Sequence, residues 1–269
     1  MVQFLPDLSY GTAPRQTLDF YLPDRPQPRL FVFIHGGGWR GGDKEQYRAL
    51  GELLSNFGYA VALPNHRLAP DHPYPAAVAD VALALQWVLR YAAESGIRRD
   101  GIFLAGHSSG AHLAALLALH PRWLPEAGIQ RADIAGVIGI SGIYALEPFR
   151  AAAPAGPAGP RLTSGAGPAA DYLQPVFGSD PETWADASPL HWARGEAPPF
   201  FLAYAEHDYP GAAAQAQAMA SALERAGGAA HLLAVPGRDH VTILSGVRSV
   251  LDPLAVGLAL FLRTAGTRS

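Results

Sequence analysis

The chain has 269 residues, of which 49% are hydrophobic and 16% charged, and this composition is typical of a globular α/β domain and not of a disordered chain. The formal net charge is −3 and no basic stripe stands out, which argues against nucleic acid and anionic membranes as partners. The absence of cysteine excludes disulfides, thiolate catalysis and cysteine-based metal sites.

The chain begins with MVQFLPDLSYGTAPRQ, which lacks the charged and then apolar segments of a signal peptide. No apolar run reaches the roughly 18 residues that a membrane span requires. We therefore expect a cytoplasmic protein without a membrane span.

The first half of the chain alternates between short apolar runs and helical patterns. In order, we predict strands at TLDFYLP and RLFVFIH, a helix at KEQYRALGELLSNFG, a strand at YAVALPN and a long helix at AAVADVALALQWVLRYAAESG. TLDFYLP alternates between apolar and polar residues, and we expect it to be an antiparallel strand at an edge of the sheet.

The second half repeats this rhythm. It predicts a strand at IFLAG, a helix at SGAHLAALLALH, strands at IAGVIGISG and PFFLAYAEHD, a helix at AAAQAQAMASALERAGG, a strand at AHLLAVPG and a last helix at VLDPLAVGLALFLRT. The β-α-β-α order predicts an α/β fold with a mostly parallel central sheet and helices on both faces. The last helix is apolar on nearly every side, so we expect it to be buried or to form a contact in a homodimer.

One segment interrupts the rhythm. The stretch Arg150–Pro175 is crowded with alanine, glycine and proline, and we predict a lid or loop excursion within residues 145–185. Residues 1–269 otherwise form one predicted domain.

The sequence GHSSG follows a predicted strand and precedes a predicted helix. This is the context of a nucleophile elbow, in which a sharp strand-to-helix turn exposes a serine and glycines two residues away on either side avoid clashes. Ser108 is therefore the candidate nucleophile. The backbone N–H of Ser109, at the helix start, is a candidate donor to an oxyanion.

A second glycine-rich loop, HGGGW, follows the strand RLFVFIH. Its backbone can approach an oxyanion closely, and we predict that Gly37 and Gly38 supply the other two N–H donors. The segment GGGWRG also fits a dinucleotide-binding pattern, but no acidic residue follows the next strand to hold a ribose. We expect His35 to support this loop through hydrogen bonding and not to act as a base.

Asp208 and His240 each follow a predicted strand downstream of Ser108. Together they give the order Ser-Asp-His that α/β-hydrolase triads share, with every member at a carboxyl strand end. The sequence leaves Glu206 open as an alternative acid, and it predicts that Asp239 is a loop residue that faces elsewhere.

Three further residues near these motifs receive subsidiary predictions. Ser141 ends a strand without the second elbow glycine and is predicted to be a supporting residue. Trp39 and His107 are candidates for the substrate pocket, although each could instead be a packing residue. The histidines show no metal-binding spacing, and we expect neither a metal nor a cofactor.

Three segments, namely HGGGW with GDK, RLAPDHPYPAAVADV and GHSSGAHLAAL, resemble those of the esterases related to hormone-sensitive lipase. The resemblance extends from about Phe31 to His240. It implies an α/β-hydrolase fold and cofactor-free hydrolysis of small-molecule esters with short acyl chains. It also implies that Ser108, Asp208 and His240 form the triad.

Other features resemble arylformamidases, which hydrolyse N-formylkynurenine. They are GHSSGAH, SGIYALEP and EHDYPG. The lipase-like esterases usually carry an acidic residue where His107 stands, and arylformamidases usually carry a bulky residue where Gly38 stands. A carboxylesterase is the leading hypothesis and a formamide substrate is the alternative. A hydrolase fold that binds ligands without catalysis is the third possibility.

Overall fold

The computed structural model describes residues 2–24, 28–98, 100–151 and 169–265. Eight strands form one sheet in the order β1-β2-β4-β3-β5-β6-β7-β8. The strands are β1 (Gln3–Ser9), β2 (Thr17–Leu22), β3 (Leu30–Ile34), β4 (Ala60–Pro64), β5 (Ile102–His107), β6 (Ile134–Ile140), β7 (Phe200–His207) and β8 (Ala230–Asp239). Strands β3 to β8 are mutually parallel, whereas β2 is antiparallel to both of its neighbours.

The helices that the sequence predicts are present in the described residues, and shorter helices that it does not predict accompany them. They are α1 (Arg48–Asn56), α2 (Ala76–Ser95), α3 (Ser109–Leu119), α4 (Trp123–Glu126), α5 (Glu147–Ala151), α6 (Ala169–Phe177), α7 (Pro181–Asp186), α8 (Ala212–Arg225), α9 (Thr242–Ser245) and α10 (Pro253–Ala265). Short 3-10 turns cover Lys44–Tyr47, Arg131–Asp133 and Pro189–Trp192. Gly96, which the sequence suggests as a stop, ends α2 in the left-handed conformation that glycine adopts without strain.

The sheet divides the apolar core into two layers because successive strand residues point to opposite faces. In β3, Val32 and Ile34 join the layer covered by α2, α3 and α8. Phe31 and Phe33 join the other layer, which α1 and α10 cover. The predicted α/β architecture with helices on both faces is therefore confirmed.

The predicted edge position of TLDFYLP is wrong. This segment is β2, and β1 pairs with it on its outer side. Most β1 side chains are exposed, so β1 carries no alternating pattern that sequence analysis would detect. Its place is fixed by backbone pairing and by the stacking of Phe4 on Tyr21, whose ring centroids are 4.7 Å apart.

The region predicted as a lid or loop excursion is mostly helical where the structure describes it. Residues 152–168, which carry most of the Ala-Gly-Pro sequence, lie outside the described residues. After them, α6 buries Leu173, Val176 and Phe177 in the core layer that contains α2. This helix is therefore packed against the domain.

Helix α2 is long and apolar enough, by length and composition alone, to cross a membrane. Half of its apolar window is buried, and the helix packs against α3 and α4. A helix in a protein core meets the same criterion, so its apolar character is accounted for by packing.

Candidate active site

Ser108 occupies a sharp turn between β5 and α3. Its φ of 55° and ψ of −121° are unusual for a residue with a side chain, and they hold its hydroxyl at the carboxyl edge of the sheet. Two glycines make the turn possible. A Cβ on Gly110 would collide with the carbonyl of Ile34, and one on Gly106 would collide with the backbone of Gly110. The close approach of β3, β5 and α3 therefore requires the glycines that the motif predicts.

The structure brings Ser108, His240 and Asp208 together. His240 Nε2 lies 3.0 Å from Ser108 Oγ, and His240 Nδ1 lies 2.6 Å from Asp208 Oδ1. The three residues follow β5, β8 and β7, whose carboxyl ends share one edge of the sheet. This geometry allows the imidazole to take the serine proton while the carboxylate fixes its tautomer.

Asp208 is almost completely buried, and its carboxylate is held from several sides. Ser141 Oγ donates to Oδ2 at 2.5 Å, the Ala205 N–H donates to the same oxygen at 3.0 Å, and the Tyr209 N–H donates to Oδ1 at 2.9 Å. Burial alone would raise the pKa of Asp208, but the hydrogen bonds from His240, Ser141 and Ala205 outweigh it, and the pKa lies below its usual value. Asp208 therefore stays charged, and Ser141 has the supporting position that the sequence suggests.

The glycine loop lies directly beside the serine. A Cβ built on Gly36 would be 3.3 Å from Ser108 Cβ. Within the described residues, the N–H groups of Gly37 and Gly38 donate to no protein acceptor, whereas Gly36 N–H donates to Tyr47 Oη at 3.2 Å. Gly37 and Gly38 thus keep free donors beside the nucleophile.

The Ser109 N–H is the first of α3, so it has no acceptor within its own helix. It completes the set of three candidate donors that the sequence predicts.

The two other motifs of the resemblance form ion pairs, each with at least one buried partner. In GDK, Lys44 is 3% exposed, and its Nζ lies 2.6 Å from Asp19 and 2.7 Å from Asp7. In RLAPDHPYPAAVADV, the Arg67 guanidinium and backbone N–H both donate to Asp80. These pairs fasten the loops on either side of the site to β1, β2 and α2.

The two predicted pocket residues are both buried. Trp39 is 2% exposed, donates to His112 Nδ1 at 3.2 Å and lines a small cavity together with Tyr74 and Phe177. Neither Ser108 nor any glycine of the loop lines this cavity.

His107 is 8% exposed, and both of its ring nitrogens face protein atoms. Little of its ring is available to a substrate.

The alternative residues lie where they cannot replace the triad members. Glu206 is exposed and accepts from the Gly237 N–H, so it is not the acid that contacts His240. Asp239 is the last residue of β8 and not the loop residue that the sequence predicts, but its carboxylate faces away from His240 and accepts from the N–H groups of Val241 and Thr242. His35 Nδ1 lies 2.8 Å from the Gly36 carbonyl, which agrees with its predicted role in supporting the loop.

Three tyrosines near the site were not singled out from the sequence. Tyr47 contacts Gly36, Tyr209 donates its hydroxyl to the Gly142 carbonyl, and the Tyr172 hydroxyl from α6 fills the space where a side chain on Gly38 would project. Their positions depend on tertiary packing. Of the three, only Tyr209 could have been noticed in the sequence, because it directly follows Asp208.

Within the described residues, no group of three or more candidate ligands could hold a metal ion.

Comparison with known proteins agrees with this architecture. Esterase LipC of Mycobacterium tuberculosis is 30% identical over 267 residues, which cover 94% of this chain and 63% of LipC. The chain therefore spans less than two thirds of that relative. Kynurenine formamidase of Danio rerio is 32% identical over 119 residues, covering 44% of this chain and 39% of that protein.

Among solved structures, esterase B from Lactobacillus rhamnosis superposes with a TM-score of 0.80 at 24% identity, covering 98% of this chain and 86% of that one. The family described as BD-FAE matches residues 18–223. The chain has an α/β-hydrolase fold and belongs to the BD-FAE family.

Proposed function

We propose that the protein is a serine hydrolase of carboxylic esters that acts through an acyl-enzyme intermediate. The observation that carries the proposal is the hydrogen-bonded line from Ser108 Oγ through His240 to Asp208, with distances of 3.0 Å and 2.6 Å. Esterase LipC and esterase B support the ester class, because both of these similar proteins are named as esterases.

In the proposed first half-reaction, Ser108 Oγ attacks the ester carbonyl carbon while His240 Nε2 takes its proton. The negative oxygen that forms is held by the N–H groups of Gly37, Gly38 and Ser109. Collapse of this intermediate breaks the bond to the alcohol, which leaves with the proton from His240.

In the second half-reaction, water replaces the alcohol. His240 removes a proton from the water, whose oxygen attacks the acyl carbon, and the acid product leaves as Ser108 regains its proton. No step needs a cofactor, because the attacking group, the base and the oxyanion donors all come from the chain.

The alternative substrate is an aryl formamide such as N-formylkynurenine. The partial similarity to kynurenine formamidase and the histidine in GHSSG favour it. The same triad would serve both substrates, since they differ only in whether an alcohol or an aryl amine leaves.

A substrate panel tests the proposal. We expect hydrolysis of p-nitrophenyl acetate or butyrate, weaker hydrolysis of longer acyl chains, and little turnover of N-formylkynurenine. Ser108→Ala should lower kcat by about 10³-fold or more with an unchanged circular dichroism spectrum. A parent protein that strongly prefers the formamide would make the alternative correct. Failure of a fluorophosphonate to label folded parent protein at Ser108 would favour a non-catalytic binder.

We also propose that the protein forms a homodimer through apolar residues at its C-terminal end. Leu251 is 81% exposed just before α10, and Leu260 is 58% exposed on that helix. Exposed apolar patches mark contact surfaces. Light scattering of the parent and of Leu260→Glu tests this, and a monomeric parent would exclude it.

The expected cytoplasmic location stays a prediction, which cell fractionation would test.

A further inference from the structure

A chain of three hydrogen bonds links the glycine loop to the loop that carries His240. The Gly36 N–H lies 3.2 Å from Tyr47 Oη, and Tyr47 Oη lies 3.3 Å from His107 Nδ1. On the other side of its ring, His107 Nε2 lies 2.8 Å from the His240 carbonyl oxygen. These hydrogen bonds thus connect two residues that both lie beside Ser108, since a Cβ on Gly36 would be 3.3 Å from Ser108 Cβ and His240 Nε2 lies 3.0 Å from Ser108 Oγ.

The donor and acceptor roles along this chain follow from chemistry. The His240 carbonyl can only accept, so His107 must carry a proton on Nε2. A neutral ring then has an acceptor at Nδ1, to which the Tyr47 hydroxyl donates. The same hydroxyl accepts from Gly36 N–H, so every atom of the chain has a matched partner.

His107 must remain neutral for this arrangement to hold. Its burial, together with the neighbouring His240, lowers the pKa of His107 to about 4. Its ring centroid lies 4.8 Å from that of His240, which becomes positively charged when it takes the proton of Ser108. A neutral neighbour does not oppose that charge, whereas a protonated one would.

We propose that Tyr47 and His107 are positioning residues that hold the glycine loop and His240 at fixed positions beside Ser108. Catalysis requires both the oxyanion donors and the base to be placed within a fraction of an ångström. The Tyr47 and His107 side chains together fix the position of the glycine loop and that of His240. This inference rests on the proposed function. It replaces a pocket role for His107, because neither ring nitrogen is free to meet a substrate.

Tyr47→Phe is the first test, because it removes one hydroxyl and keeps the ring that packs on Phe33. We expect kcat for p-nitrophenyl acetate to fall about tenfold, the usual effect of losing one hydrogen bond, with KM changed less than about twofold. Tyr21→Phe is the matched control, since the Tyr21 hydroxyl is buried with no hydrogen-bond partner among the described residues. It should leave both constants unchanged.

Two substitutions of His107 test its two hydrogen bonds, to Tyr47 and to the His240 carbonyl, one at a time. His107→Gln places an amide N–H near the position of Nε2 and can still donate to the His240 carbonyl. His107→Asn places an oxygen near Nδ1 and can only accept from Tyr47. We expect both to lower kcat by about tenfold or more. If the role of His107 were merely structural, these variants would lose thermal stability, and kcat would not fall relative to KM.

Imidazole nitrogen NMR gives a readout that does not need turnover. We expect His107 to be the neutral Nε2–H tautomer at pH 7, with an Nδ1 signal that shifts in Tyr47→Phe and not in Tyr21→Phe. A proton on Nδ1, or equal kcat values for the two tyrosine variants, would overturn the inference. If the parent hydrolyses no ester while the NMR result holds, the proposed function fails and the positioning chain stands.

Discussion

Four histidines are buried in this fold as neutral rings, and together they predict a loss of stability in mild acid. Burial lowers the pKa of His35 to about 3 and those of His66, His107 and His112 to about 4. In the unfolded chain each histidine has a pKa near 6.5. Below that pH the unfolded chain binds more protons than the folded protein, so the free energy of unfolding falls as the pH falls.

The magnitude follows from these pKa values. Between pH 7.5 and pH 5.5, each histidine lowers the free energy of unfolding by about 1.3 kcal/mol, because at pH 5.5 roughly nine tenths of the unfolded rings are protonated and almost no folded ones are. Four such groups give about 5 kcal/mol, which is comparable to the whole stability of many domains. The result changes little for any folded-state pKa below 5.

Urea unfolding followed by tryptophan fluorescence at the two pH values measures this loss. His112→Gln removes one titrating ring. The difference in the free energy of unfolding between pH 7.5 and pH 5.5 should therefore shrink by about one quarter, even though the variant is less stable at both pH values. His72→Gln, at an exposed histidine, should leave the difference as it is in the parent. A parent whose stability is the same at pH 7.5 and pH 5.5 would refute the reasoning.

Three further substitutions test the packing around the site. Ser141→Ala removes a hydrogen bond to the buried Asp208 carboxylate and should lower stability by about 1.5–3 kcal/mol and reduce kcat. Ser55→Ala removes a buried hydroxyl that has no hydrogen-bond partner among the described residues, and it should have a small effect in the same assays. Gly110→Ala forces a Cβ into the Ile34 carbonyl and should lower stability by about 3 kcal/mol or more, and thermal unfolding comparable to the parent would contradict this. Asp80→Ala leaves Arg67 without its bidentate partner and should lower stability by about 3–5 kcal/mol, which chemical unfolding would detect.

Much of the fold could be predicted because its core strands are apolar on both faces. The strands β3 to β7 are continuous apolar runs bounded by glycine or proline, and the helices between them carry the expected periodicity. Strand β1 could not be predicted, since an exposed edge strand needs no apolar pattern to pair.

The residues of the candidate site were predictable for a related reason. Each of Ser108, Asp208 and His240 directly follows a strand, and parallel strands place their carboxyl ends at one edge. The contacts that support them were not predictable in the same way. Ser141 meets Asp208 across 67 residues of sequence, and Tyr47 meets His107 across 60, so only the folded chain reveals these pairs.

The contact between α6 and the glycine loop limits how this candidate site can change. The Tyr172 hydroxyl occupies the volume that a side chain at position 38 would need, so the two positions share one space. A variant with a larger residue at 38 therefore needs both a smaller residue at 172 and a backbone that tolerates the φ of 61° at Gly38. Directed evolution that enlarges the residue at position 38 alone meets a steric barrier, and libraries that vary both positions together are the productive route to a new side chain beside the glycine loop.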